Sequence, residues 1–350
     1  MQSERMLMSD RRALVLLPGA LGDFVCFLPA LECLAERTSI DLLARTEFSE
    51  LVPARVKVGS LERFEIRHLF VSGGGSDEKV RSFFETFGCT YSWMGSRDLA
   101  FQQELQKASQ GRLRMFQFHP RDSQLHQADY YLSCLQDSSA RGMPHIDLIP
   151  DAKQWAEVYW AKNFLNSKPV LAIAPGSGAR EKNWPLISFE AIARWWRERV
   201  NGNVIVILGP VEEERGGYES LCNHGLAIRG ITLGRLAAMI ARCNLYIGND
   251  SGISHIAAAL GVPTAAIFGP SSVNQWAPRG TNVLVLTHEV PCSPCNVSTM
   301  KNCRHRDCLA ALTPAEVVGQ LERWRPLVTL TSRRAGIRVP PEISPELMGG

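Results

Sequence analysis

The run YIGNDSGISHIAAALGVPTAAIFGP, residues 246–270, places two short apolar stretches on either side of a small-residue helical pattern. Residues 244–248 (NLYIG) read as a strand that ends in Gly248-Asn249-Asp250-Ser251-Gly252. The pattern ISHIAAALG continues as a helix, closed by Gly261 in the position just past a helix end that glycine favours. Residues 263–268 (PTAAIF) read as the next strand. Continuous apolar strands separated by a helix, rather than alternating ones, imply a parallel sheet covered on both faces.

The same alternation runs along the chain. Further strands are expected at 12–17, 39–44, 113–118, 169–174, 203–208 and 282–286, with amphipathic helices at about 22–37, 124–135, 152–164, 188–200, 233–242, 252–260 and 313–324. The fold class is therefore α/β. A turn-rich stretch, 136–151, divides the chain into a first half, 1–150, and a second, 151–327; the Pro- and Arg-rich tail 328–350 is expected to be flexible. Residues 53–111 show weak periodicity, and no solenoid-length repeat is present.

Bulk properties narrow the function. The 350 residues carry 38 basic and 35 acidic side chains, a net charge of +3, too mild for a nucleic-acid-binding face. No apolar run reaches the roughly 18 residues that span a bilayer. Arg11 and Arg12 precede a short apolar stretch, but Pro18 and Asp23 interrupt it, so no secretory signal is read there. Six of the ten cysteines are scattered singly in apolar or helical segments, which suits a reducing, cytoplasmic setting.

Four segments carry chemistry. In LLPGALGDFVCFLPAL (16–31), Gly19 and Gly22 allow a tight turn with close backbone approach, and Asp23 opens the next helix. Asp23 reads either as a helix cap or as a reactive carboxylate at the carboxyl end of a strand. The glycines do not spell a dinucleotide fingerprint. In IAPGSGAREKNWP (173–185), a strand runs into a Ser/Gly turn and then Lys182. The spacing is not that of a P-loop, yet a lysine there suits a diphosphate, against the alternative of a solvated loop residue. Trp184 is expected to pack and hold the loop in shape.

In the opening run, Ser251 and Gly252 occupy the first turn of a helix, whose free N–H groups form an anion site without a metal. Asp250 reads as an acceptor for sugar hydroxyls or as a cap. His255, one turn on, reads as a packed structural residue or as a ligand contact. The fourth segment, 291–309, has the pattern C-x2-C-x7-C-x4-C through Cys292, Cys295, Cys303 and Cys308, with His305 between the last two. These cysteines are candidates for structural zinc, for redox chemistry, or for plain free thiols.

Together these segments resemble glycosyltransferase family 9, the heptosyltransferases that build the inner core of bacterial lipopolysaccharide. The resemblance spans about 12–318 and rests on ALGDFVCFLPAL, PGSGAREKNWP, NDSGISHIAAALGVPTAAIFGP and the cysteine segment ending in TPAEVV. It implies a GT-B fold, two Rossmann-like domains facing each other across a cleft, with the N-terminal one holding the acceptor and a C-terminal helix returning to it.

The resemblance also implies roles. Asp23 looks like the general base, with Gly19 and Gly22 serving close approach of the acceptor. Lys182 and Ser177 look like holders of the diphosphate, with Ser251 and Gly252 donating backbone hydrogen bonds. Asp250 and His255 would contact the sugar or support the loop, and Glu212, with Glu213 as the alternative, would bind the ribose. Gly178 stands where a second hydroxyl residue is common in the family.

The implied reaction is an inverting transfer of heptose from a nucleotide-diphosphate donor, ADP-heptose by default, to a lipopolysaccharide-core or similar glycan. With no DxD motif, no catalytic metal is expected. A lipid-linked acceptor would bring the protein to the inner face of the cytoplasmic membrane. Two other readings stay open: a GT-B nucleotide-sugar epimerase and a non-catalytic nucleotide-sugar-binding protein.

Overall fold

The computed structural model of the chain describes residues 12–120, 124–136 and 142–324. Eleven strands among them form two all-parallel sheets. The first has five strands in the order β3-β2-β1-β4-β5, from Ala13–Leu16 (β1), Ile40–Ala44 (β2), Val56–Ser60 (β3), Cys89–Ser92 (β4) and Leu113–Met115 (β5). The second has six in the order β11-β10-β9-β6-β7-β8, from Val170–Ala174 (β6), Asn203–Ile207 (β7), Leu226–Ile228 (β8), Leu245–Asn249 (β9), Thr264–Phe268 (β10) and Val283–Thr287 (β11). Each order reverses once, between β1 and β4 and between β6 and β9. Open parallel sheets bind ligands above the carboxyl ends of the strands at such reversals.

Each expected strand is present; most are shorter by a residue or more, and those expected at 244–248 and 282–286 are shifted one residue on, to Leu245–Asn249 and Val283–Thr287. The expected helices form too, and the one at 188–200 runs as Leu186–Trp195 followed by a π-helical turn, Trp196–Val200. The weakly periodic region 53–111 contains β3, β4 and the helices Glu78–Glu85 and Leu99–Ala108. Its strands lack the apolar signal for a local reason. β3 is an edge strand with only Val56 fully buried, and β4 (CTYS) buries Thr90 and Ser92 instead of aliphatic residues. The last described helix, Pro314–Arg323, packs its Val317 and Leu321 into the apolar cluster of Phe189, Ile192 and Ala193 from Leu186–Trp195 in the second half. The expected return of a helix to the first half is thus not made by this segment, and the tail 328–350 lies outside the described residues.

Three apolar layers hold the fold. One lies outside the first sheet, around Phe84, Phe101 and Leu105, and one outside the second, around Trp184, Phe189 and Trp196. The third lies between the sheets and is shared: Phe24, Phe27 and Leu31 of helix α1 (Leu21–Arg37) belong to one buried cluster with Leu236, Ile240 and Ile256 of the second half. Polar contacts lock the same seam. Arg279 makes a two-pronged ion pair with Asp129, His126 Nε2 donates to the Ala277 carbonyl at 2.8 Å, and Glu50 accepts the Gly234 N–H at 2.7 Å.

Where α1 begins, the seam is at its tightest. A methyl group on Gly252 would lie 2.6 Å from Leu21 Cβ and 2.9 Å from the Gly22 nitrogen. Gly252→Ala is therefore expected to cost about 1–3 kcal/mol by overpacking, read from urea unfolding. Gly178→Ala, whose added carbon would meet nothing within 4 Å, is expected to stay within about 0.5 kcal/mol of the parent.

Candidate active site

The reversal point of the first sheet carries Asp23. No side chain caps α1 at Ala20, so the Asp23 carboxylate reaches back and its Oδ2 accepts the Ala20 N–H at 2.9 Å. Its other oxygen, Oδ1, faces His119 Nε2 at 2.7 Å. The capping reading and the reactive reading of Asp23 thus occupy different oxygens. Gly19 has φ +115° in the left-handed region, and an added Cβ would strike Phe118 2.4 Å away. That phenyl ring stacks on the His119 imidazole at 4.0 Å between centroids, and Trp276 of the second half meets the imidazole edge-on at 5.1 Å.

The reversal point of the second sheet carries the rest. Loops after β6 and β9 are stitched together by Asn249, fully buried, which accepts the Trp184 N–H at 2.9 Å and donates to the Pro175 carbonyl at 2.7 Å. Trp184 is itself buried, with its indole N–H on the Leu312 carbonyl at 2.9 Å. Lys182 Nζ is thereby brought to 2.7 Å from Asp250 Oδ2, so two residues read separately in the sequence form one ion pair. Asp250 is 7% exposed and Lys182 29%, which leaves the ammonium as the reachable member.

Ser177 spends its hydroxyl inside its own loop, 2.6 Å from Asn183 Oδ1 and 2.7 Å from the Ala179 carbonyl. It shapes the turn, and the neighbouring Gly178 faces open space. Ser251 is the N-cap of the helix Gly252–Ala259 but makes no side-chain cap; its carbonyl accepts the Ser254 N–H at 3.1 Å, so the N–H groups it leaves without a partner are those of Gly252 and Ile253.

Beside that helix end lies a cavity of about 290 Å³, walled by Ile207, Leu208, Ile228, Ile231 and Leu236, with Gly176 and Gly178 at its rim. Glu212 is its carboxylate. Burial pushes the Glu212 carboxyl up, opposed by the Gly209 N–H that Oε2 accepts at 3.0 Å. A wider recess of about 870 Å³, walled by Ser271, Ser272, Gln275, His288 and Glu289, lies past the turn Val273–Trp276 and includes none of the candidate residues.

His255 is not at the cavity wall. It is 3% exposed, with Nδ1 3.7 Å from Cys26 Sγ on α1 and its ring against Gly22. Burial holds its pKa down at about 4, so the imidazole is neutral and packed between two helices.

The four candidate zinc cysteines line a single narrow recess together with His305, yet Cys292 is exposed while Cys308 is buried. Among the described residues no three His, Cys, Asp or Glu side chains converge to hold a metal ion. Burial also pushes the Cys308 thiol up, to about 11.

Sequence reasoning passed over His119, Asn249 and the shared Lys182–Asp250 pair. Asn249 was readable in principle, as a polar residue ending an apolar strand.

Two Rossmann-like units, each an open parallel sheet with helices, facing each other across the seam make a GT-B fold. The chain belongs to glycosyltransferase family 9 (heptosyltransferase), whose family model matches residues 115–304. It is 30% identical over 165 residues to lipooligosaccharide heptosyltransferase 2 of Campylobacter jejuni, covering 44% of this chain and 50% of that protein. The match thus spans about half the length of that curated relative. Among solved structures it is similar to the family 9 glycosyl transferase of Veillonella parvula, with TM-score 0.71, 19% identity and coverage of 92% and 98% of the two chains. It is likewise similar to the ADP-heptose lps heptosyltransferase II of E. coli, with TM-score 0.64, 16% identity and coverage of 93% and 99%.

The buried His255 gives a pH signature. An unfolded imidazole titrates near 6.5, so between about pH 6.5 and 4 the unfolded chain binds more protons at this position than the folded one. The stability tied to neutral His255 is full above that window and is lost as the pH falls through it, by up to about 3 kcal/mol. Urea unfolding of His255→Gln from pH 7 to 4 is expected to show a correspondingly shallower decline than the parent. Identical slopes would contradict the assignment.

Proposed function

We propose that the chain transfers a heptose from a nucleotide-diphosphate donor, ADP-heptose, to a lipopolysaccharide-core or similar glycan, with inversion at the anomeric carbon and no catalytic metal. One observation carries this reading. The start of the helix Gly252–Ala259, with no side-chain cap, lines the apolar cavity; Asp250, just before that helix, holds the reachable ammonium of Lys182; and that helix end abuts the start of the helix bearing Asp23.

The parts divide by chemistry. A flat base fits among Ile207, Ile228 and Leu236, and ribose hydroxyls donate to Glu212. The diphosphate, which must take up negative charge as it leaves, lies against the helix N-terminus and Lys182. Those groups do electrostatically what a divalent cation does in other transferases. Asp250, already paired with Lys182, fixes the ammonium and holds a free edge toward sugar hydroxyls. The acceptor proton leaves on the other side of the seam, at the Asp23–His119 pair. Relatives named for heptose transfer to lipopolysaccharide or lipooligosaccharide, and for ADP-heptose, support the donor and acceptor classes. A glycolipid acceptor would place the enzyme against the inner membrane face.

The test is transfer of heptose from ADP-heptose to a heptose-deficient core acceptor, monitored by mass and by the anomeric coupling in proton NMR. Preference for ADP- over UDP- and GDP-sugars in thermal shift is expected, a saturating ligand at a hundredfold excess over its Kd adding about 2.7 kcal/mol. Lys182→Met is expected to lower kcat by about 10²–10³-fold. Isomerisation of the donor in the absence of acceptor, or activity that EDTA abolishes and Mg²⁺ restores, would overturn the proposal.

A further inference from the structure

Past the turn Val273–Trp276, the carboxyl ends of β10 and β11 border the recess of about 870 Å³, against about 290 Å³ for the cavity beside Glu212. Its size falls within the roughly 300–1,000 Å³ of small-ligand sites. Ser271, Asn274, Gln275, Thr287, His288 and Glu289 line it, and Gln124 reaches it from the first half. The side chains of Asn274, Gln275, Thr287, His288 and Glu289 make no hydrogen bond among the described residues, so their polar atoms keep full capacity for a ligand. Among the described residues no lysine or arginine lines the recess, which leaves it without the cation that holds a phosphate. Carboxamides and hydroxyls beside one carboxylate suit a ligand rich in hydroxyls, each of which donates one bond and accepts others.

Both walls are fixed. On one, Ser272 Oγ accepts the Gln275 N–H at 3.4 Å, and the Ala277 carbonyl just past the turn accepts from His126 Nε2 at 2.8 Å. This turn belongs to the second half but is anchored to the first. On the other wall, Ser293 Oγ donates to the Gly269 carbonyl at 2.6 Å and the Cys295 N–H to the Pro270 carbonyl at 2.7 Å. Trp276, next after Gln275, meets the His119 ring at 5.1 Å between centroids, and His119 Nε2 lies 2.7 Å from Asp23 Oδ1. One short turn thus joins the recess to the carboxylate that opens α1.

The two cavities lie on opposite flanks of the second sheet. In the order β11-β10-β9-β6-β7-β8, the apolar cavity is at the ends of β7 and β8 and the recess at those of β10 and β11. The helix Gly252–Ala259, which follows β9, starts between them. An inverting displacement brings the attacking oxygen to the face of the sugar opposite the leaving group. With the nucleotide on the β7–β8 flank, the acceptor has the other flank.

We propose that the recess is an acceptor subsite: it takes the hydroxyl-rich sugar residues that flank the one whose hydroxyl reacts at Asp23, and Gln275 and Glu289 select them. This rests on the transferase reading. The reacting sugar stays against the first half, while the second half, besides carrying the donor, grips the acceptor's neighbouring residues.

The test compares two acceptors with the same reacting sugar, the deacylated heptose-deficient core oligosaccharide and that sugar alone as its methyl glycoside. The parent is expected to favour the oligosaccharide in kcat/KM by about tenfold or more. Gln275→Ala combined with Glu289→Ala is expected to raise the oligosaccharide KM about tenfold with kcat within about twofold, and to shrink the preference over the single sugar by the same factor. Asn274→Trp, at an exposed position with no hydrogen bond to lose among the described residues, is expected to fill the recess and do likewise. ADP-heptose affinity by calorimetry is expected to hold in both variants, which a general disturbance of the fold would not allow. An unchanged oligosaccharide KM in both variants, or an equal loss of donor affinity, would overturn the inference alone, since transfer by the parent keeps the transferase reading. A parent protein that binds ADP-heptose yet transfers to neither acceptor would overturn the transferase reading and this inference with it.

Discussion

Two helices meet at their N-termini across the seam, close enough that a Cβ on Gly252 would lie 2.6 Å from Leu21 and 2.9 Å from the Gly22 nitrogen. Each helix end carries about half a positive charge, so the contact sets like poles together. At the first end the Asp23 carboxylate lies within the opening turn and offsets the charge. At the second, Ser251 supplies no side-chain cap. The fold therefore leaves one electropositive helix end satisfied from within and the other open to an anion, a few ångströms from the carboxylate-bearing turn. The rest of the site is arranged around that asymmetry.

Lys182 adds to the open pole while Asp250 restrains it. Their ion pair lies across the reversal point of the second sheet and is held by a buried amide, Asn249, that ties both loops to the strand ends. A single ion pair with one member reachable by water contributes modest stability by itself. The value of this one is positional, since it keeps a flexible lysine chain at a fixed height above the sheet with its ammonium still reachable. An arriving diphosphate would then find the cation already placed, which limits the ordering that binding requires.

The fold was legible because buried parallel strands leave continuous apolar runs, and β6, β7 and β10 are of that kind. It faded where burial did: β3 lies at a sheet edge and β4 is built from polar residues, so the helices around them had no frame. In the site, single-segment features were readable. Asp23 comes after a strand and opens a helix, and Trp184 sits where only a packed indole makes sense. Features joining distant segments were not. Lys182 and Asp250 are 68 positions apart, and His119 is 96 from Asp23, so neither spacing carries a pattern. His255 shows the converse. Its place on the helix left two readings open, a packed structural residue or a ligand contact, and its surroundings on α1, invisible in the local sequence, are those of a packed ring. The four cysteines likewise share a recess without sharing a centre.

The apolar layer between the sheets is one cluster and not two, and Glu50, Asp129 and His126 of the first half all hold backbone or side chains of the second. Such a molecule does not behave as two beads on a string. Its halves would melt in a single cooperative step, and any opening of the cleft is confined to helices sliding over a surface that stays dry. A relative motion of the halves would have to shift Phe24 and Leu31 against Leu236 and Ile256 without letting water between them, so the shared layer acts as a brake on any opening.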